Sequence, residues 1–136
     1  MRRRIHAIGL GLAGVTFVAA PAFADNCTDL AKATAPNATV TAATMETGSF
    51  ESPKDGIGNT TKVTQPFCRV EVIAKSEAAS SIDFELWLPA ADKWNGRMLA
   101  SGDLGQSGAP NYPALNDALE RGFAALGDNL GHNSNA

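Results

Sequence analysis

The sequence predicts an α/β fold built on an incomplete mixed sheet, in which an antiparallel β pair leads into a βαβ unit. Three observations carry this. Period-two alternation runs twice, through CRVEVIA at 68–74 and through SIDFELWLP at 81–89. Helix-period spacing of Leu115, Ala118 and Leu119 occupies NYPALNDALERG at 111–122. Two short, nearly all-apolar runs, RMLAS at 97–101 and FAALG at 123–127, flank that helix.

Taken in order, the chain begins with MRRRIHAIGLGLAGVTFVAAPAFA, three arginines followed by an apolar stretch and then Ala22-Phe23-Ala24 in a small-x-small pattern. This reads as a secretory signal peptide over residues 1–24, cleaved after Ala24. The apolar run is shorter than the roughly 20 residues a membrane helix needs, and Pro21 closes it. No later segment is apolar enough to span, so no membrane partner is expected once the signal is removed. The location expected is secreted or periplasmic.

Cleavage removes three of the eleven basic side chains and no acidic one, leaving eight against fourteen. That acidic balance argues against a nucleic-acid partner. The two cysteines, Cys27 and Cys68, are exported to where disulfides persist. Pairing them closes a 42-residue loop counting both cysteines, worth about 4 kcal/mol on the chain-entropy model. A metal reading is poor, because two isolated thiols with no histidine nearby do not make a zinc site.

Residues 25–66 are rich in Ala, Thr, Asn, Gly and Pro, with only weak β alternation in ATVTAATMETGSF. They are expected to form a loose N-terminal arm tied down by the disulfide. From 67 onward the pattern sharpens into the main domain, 67–136. One face of the first strand carries Cys68, Val70, Val72 and Ala74. In the second, Ile82, Phe84, Leu86 and Leu88 share a face, with Asp83, Glu85 and Trp87 opposite. The polar KSEAAS between them has hairpin length, so the pair is expected to be antiparallel. Pro89 ends the second strand and Asn95-Gly96 supplies turn chemistry. The helix starts with Pro113 in its first turn and stops at Gly122. Its flanking strands should be parallel and joined by a right-handed crossover.

Between the first of those strands and the helix lies a glycine loop, with Gly102, Gly105 and Gly108 three apart. A dinucleotide fingerprint needs G-x-G-x-x-G tight against the helix, and the spacing here is different. A P-loop needs Lys and Ser/Thr after the last glycine, and neither is present. Two readings remain: an oxyanion loop whose bare N–H groups face a developing negative charge, or a plain strand-to-helix turn whose glycines relieve strain.

The run from Phe67 to His132 resembles the tannase and feruloyl esterase family, which includes mono-hydroxyethyl terephthalate hydrolase-like enzymes. The matching pieces are Cys68-Arg69-Val70, I-x-F-E-x-W-L-P at 82–89, W-N-G-R at 94–97, the glycine loop, L-x-R-G-[YF]-A at 119–124 and Gly131-His132. The resemblance implies a secreted α/β-hydrolase that cleaves small aromatic-acid esters by a serine mechanism. It implies that the loop lends a backbone N–H to the oxyanion hole. The family has adjacent glycines where this chain has Leu104-Gly105, and Gly105 is the donor expected. The family pattern also implies the Cys27–Cys68 disulfide. Where the family carries Thr-Asp before x-Gly-His, this chain has Asp128-Asn129, so no role passes to that aspartate.

The resemblance covers the front of the family pattern only. His132 is the one histidine left after signal removal, and no G-x-S-x-G occurs. GQSGA at 105–109 is a near miss, but its Ser107 lies in the oxyanion-loop position and not at a nucleophile elbow. The family's serine, acid and base, and its lid with bound calcium, belong to segments beyond the Gly-His. No triad, cofactor or metal site is therefore expected within these residues, and the chain is expected to be the N-terminal portion of such an enzyme, inactive alone. The alternative is a free-standing secreted non-catalytic or ligand-binding module.

Overall fold

The computed structural model describes residues 24–103, 105 and 108–132. The predicted signal segment, apart from Ala24, lies outside the described residues, as do Leu104 and Ser107.

A 3-10 segment, Ala24–Lys32, is followed by strands β1 (Thr34–Ala35), β2 (Ala38–Thr47), β3 (Phe50–Glu51), β4 (Lys62–Val63), β5 (Pro66–Ala74), β6 (Ile82–Pro89) and β7 (Met98–Ser101). Helix α1 (Tyr112–Glu120) and strand β8 (Ala124–Asp128) complete the described chain. Six strands form one mixed sheet in the order β1-β2-β5-β6-β8-β7, and β3 pairs with β4 in a separate two-stranded ribbon.

The hairpin and the βαβ unit are as expected. β5 and β6 are antiparallel with Val70 opposite Leu86 and Cys68 opposite Leu88. β7 and β8 are parallel with Leu99 beside Ala125, and α1 connects them. β8 is inserted between β6 and β7, pairing antiparallel with β6 through Leu86 and Leu126. β7 is therefore an edge strand, and its Met98 is 62% exposed.

Two expectations are corrected. The arm at 25–66 is not loose: β2 is a ten-residue strand paired along its length with β5, interrupted only by a register shift between Val40 and Ala42. Ala and Thr side chains give little hydrophobic contrast, so alternation there is faint. The strand forms because β5 offers a complete ladder of backbone partners. The disulfide joins Cys27 of the 3-10 segment to Cys68 of β5, with Cα atoms 5.6 Å apart. Around it pack Val70, Leu30, Met45 and Leu88.

The second correction concerns which face of β6 is covered. The apolar set Ile82, Phe84, Leu86 and Leu88 is only half-buried, whereas Trp87 is 0% and Glu85 7% exposed on the face expected to be polar. That face is covered by α1, and the largest core forms there from Trp87, Phe67, Leu115, Tyr112 and Val63. Phe67, Phe50 and Trp87 meet with ring centroids 4.7 to 5.6 Å apart. Their ring contacts add to area burial. The sheet is thus covered on both sides, by the disulfide cluster on one and by the helix on the other.

The motifs that carry the resemblance interlock around the end of α1. Gly122 stands at φ +78° after the C-cap Arg121, and a Cβ there would run into the Lys93 carbonyl oxygen, so glycine is required sterically as well as conformationally. Asn95 donates through its backbone N–H to Gly122 O (2.8 Å) and through Nδ2 to Arg121 O (2.9 Å), satisfying carbonyls that the helix leaves open. Its Oδ1 accepts from Arg97 N (2.9 Å), and Trp94 Nε1 donates to Arg97 O (3.0 Å). W-N-G-R and L-x-R-G are one structural clamp, which sets β7 and so the start of the glycine loop.

Candidate active-site loop and its supports

The glycine loop leaves the carboxyl end of β7 and enters α1, at the edge where ligands bind in open α/β sheets. Gly105 is exposed at φ +59° and Gly108 is at φ +66°. A Cβ placed at Gly102 or Gly105 would meet nothing within 4 Å. At Gly105 the loop thus holds bare backbone in open space, in a conformation that side-chain-bearing residues rarely adopt. Gly108 N donates to Asp103 Oδ2 at 3.3 Å across the loop.

Beyond Gly108 the chain becomes buried. Ala109 and Pro110 pack inward, Asn111 caps α1 by accepting from Ala114 N (3.2 Å), and Tyr112 N donates to Pro110 O (2.8 Å). β8 makes room by carrying Gly127, where a Cβ would lie 3.1 Å from Pro110 Cβ and 3.2 Å from the Leu115 methyls.

Beside the loop lies a cleft of ≈ 370 Å³ whose lining includes Gly108, Tyr112, Arg69, Glu71, Glu85 and Asn129. It is lined by an ionic network centred on the buried Glu85. Arg69 donates to Glu85 through Nε (2.8 Å to Oε2) and Nη2 (2.6 Å to Oε1), and Nη2 also pairs with Glu71 Oε1 at 2.9 Å. Trp87 Nε1 donates to Glu85 Oε2 (2.9 Å) and Tyr112 OH to Glu85 Oε1 (3.0 Å). The Arg69 guanidinium also lies 5.2 Å from the Phe50 ring centroid. Burial opposes the Arg69 charge, but the hydrogen bonds and charge of Glu85 outweigh it and raise its pKa. Tyr112 is held protonated well above the ordinary phenol range, first by burial and then by the Glu85 carboxylate beside it.

Tyr112 is the chain's sole tyrosine, so its ionisation can be followed alone. In the folded chain the near-ultraviolet phenolate signal is expected to stay flat through pH 10, where an unfolded tyrosine ionises (about 10). The sign is that of a raised pKa. Stability is complete below the unfolded value and falls as pH rises above it, because the unfolded chain releases a proton that the native one keeps. A reversible titration near pH 10 with the fold intact would show that Tyr112 does not face Glu85.

The remaining motif residues are placed less centrally. His132 is exposed, and its backbone N–H donates to Asn129 O (2.9 Å). Asn129 is buried and staples the end of β8 to the start of β6. Its Oδ1 accepts from Asp83 N (3.0 Å) and Gly131 N (2.9 Å), while Nδ2 donates to Asp83 Oδ2 (3.2 Å). Asp128 Oδ1 accepts from Leu130 N (2.9 Å) in the turn that follows. The cysteines lie on the opposite face of the sheet from the cleft. Sequence reasoning passed over Glu85, Arg69 and Tyr112 as a group. The usable signal was a glutamate set between large apolar residues in β6, which a buried strand carries only when a cation answers it. Among the described residues, no group of three His, Cys, Asp or Glu side chains is placed to hold a metal, and no helix is long and apolar enough to cross a membrane.

No family model matches the chain. It is 34% identical over 107 residues to an uncharacterized esterase of Xanthomonas campestris, covering 78% of this chain and 18% of that protein. It is 33% identical over 115 residues to a probable feruloyl esterase B of Emericella nidulans, covering 82% of this chain and 21% of that one. Crystal structures of an esterase and of feruloyl esterase B, both from Aspergillus oryzae, superpose with TM-scores of 0.72 and 0.68 at 30% and 27% identity. These superpositions take in 82% and 81% of this chain and 23% and 22% of the two structures. In sequence and in fold, over about a fifth of its relatives' length, this chain is related to the feruloyl esterases, and the resemblance read from its motifs holds.

Proposed function

We propose that this chain is the N-terminal portion of an exported carboxylic-ester hydrolase of the tannase and feruloyl esterase type, built on an α/β-hydrolase sheet and acting on esters of aromatic acids. In this reading a serine hydroxyl attacks the ester carbonyl, a base takes its proton, and the carbonyl oxygen becomes an oxyanion. The serine, base and acid come from parts of the enzyme outside these residues. This chain contributes the backbone N–H of Gly105 to that oxygen, together with the frame that holds the loop. The mechanism asks for no metal or cofactor from this part of the protein. Export fits the Cys27–Cys68 disulfide.

The observation that carries the proposal is the loop itself. Gly105 sits at positive φ in open space at the carboxyl end of a parallel strand, in a chain similar to esterases. A carbonyl can approach such an amide without meeting a side chain. The test joins this chain to the rest of a related feruloyl esterase and assays methyl ferulate and methyl gallate. Hydrolysis by the folded hybrid is the expected result. A folded, exported hybrid that cleaves neither ester would favour the free-standing binding module instead.

A further inference from the structure

The downstream end of the glycine loop converges on one carboxylate. Upstream, Ser101 is held by its pairing with Gly127 of β8. Downstream, the chain passes through buried Ala109 and Pro110 to Tyr112, the first residue of α1. The Tyr112 ring stacks on Trp87 with centroids 6.1 Å apart and planes 22° from parallel, and its hydroxyl reaches Glu85. Glu85 Oε2 accepts from Arg69 Nε and Trp87 Nε1, while Oε1 accepts from Arg69 Nη2 and Tyr112 OH. With four donors on two oxygens, the carboxylate is fixed in both position and rotation.

We infer that Glu85 is a positioning residue: clamped by Arg69 and Trp87, it sets, through the Tyr112 hydroxyl, where the chain re-enters the fold after Gly108 and hence which way the Gly105 amide faces. An apolar contact would hold the helix as firmly. Buried ion pairs add little net stability over well-packed hydrophobic residues, but a charge-assisted hydrogen bond is directional. An amide aimed at an oxyanion needs that direction held to a fraction of an ångström. The catalytic consequence rests on the oxyanion reading of the loop, whereas the anchoring is a separate claim with its own measurement.

The test is amide hydrogen exchange on the full, disulfide-bonded chain as monomer, with Tyr112→Phe beside Leu119→Val. Tyr112→Phe keeps the ring on Trp87 and removes only the hydroxyl. Leu119→Val loosens the far end of the same helix without touching Glu85. Exchange in 102–111 is expected to rise by about tenfold in Tyr112→Phe, the scale of losing one hydrogen bond to a charged group, and to stay near wild type in Leu119→Val. Unchanged exchange in Tyr112→Phe, or an equal rise in both variants, would overturn the inference. In the hybrid esterase, Tyr112→Phe is expected to lower kcat with KM little changed. A loop that loosens while kcat holds keeps the anchoring and removes the oxyanion reading.

Discussion

Replacing Gly105 with valine in the hybrid esterase is expected to lower turnover per folded active site by about 100- to 1000-fold, the usual effect of losing one oxyanion donor. Two features of Gly105 combine to produce this. Its φ of +59° is one a β-branched residue adopts only at a cost, so valine drives the backbone out of the conformation that presents the N–H. An added Cβ meets nothing within 4 Å, so on the oxyanion reading the valine side chain occupies space through which a carbonyl would approach. For the same reason the fold is expected to survive, with a stability loss of about 1–3 kcal/mol from backbone strain alone. Gly102→Ala is the matched control. A Cβ there also meets nothing, and Gly102 is not among the positive-φ glycines, so turnover should change little. Near-normal kcat in Gly105→Val beside a lowered Tm would identify a plain strand-to-helix turn.

The largest loss of stability from a single side chain is expected at Glu85. Glu85→Ala strips the acceptor from Arg69 Nε, Trp87 Nε1 and Tyr112 OH at once, inside the main core. Breaking a buried pair by removing one partner costs about 3–5 kcal/mol, because the remaining charge stays buried without its counter-ion. Glu71, 2.9 Å from Arg69 Nη2, keeps part of that charge answered, which places the cost near the lower end. Urea unfolding of Glu85→Ala measures it. The double variant Arg69→Met/Glu85→Leu removes both charges and is expected to recover most of the loss. A single-variant cost below about 1 kcal/mol would mean that the network is solvated, not buried.

Much of the sheet was legible because its signals are local. Alternation through 68–74 and 82–88 marks β5 and β6, and the polar turn between them is short enough to require antiparallel pairing. Pro113 and Gly122 bracket α1, and the apolar runs on either side of it become the parallel pair β7 and β8. β2 was not legible. Its alanines and threonines carry almost no contrast in hydropathy, and what makes them a strand is the unpaired edge of β5, thirty residues further along.

The loop and the site divide in the same way. The spacing of Gly102, Gly105 and Gly108, the position of the loop between strand and helix, and the motifs around it were all present in the sequence. By itself the sequence determined the order of strands and helix from 68 onward, where the chain turns, and which residue types share a face. Only the tertiary structure decided which face of β6 is the interior. Alternation separates Ile82, Phe84 and Leu86 from Asp83, Glu85 and Trp87, but the covering layer is α1, folded back from beyond the glycine loop. That helix brings Tyr112 onto Trp87 and Glu85 while Arg69 arrives from the neighbouring strand. A glutamate on an apparently polar face thereby becomes a buried acceptor where the core meets the cleft, because burial is fixed by contacts between residues distant in the chain, which no local period encodes.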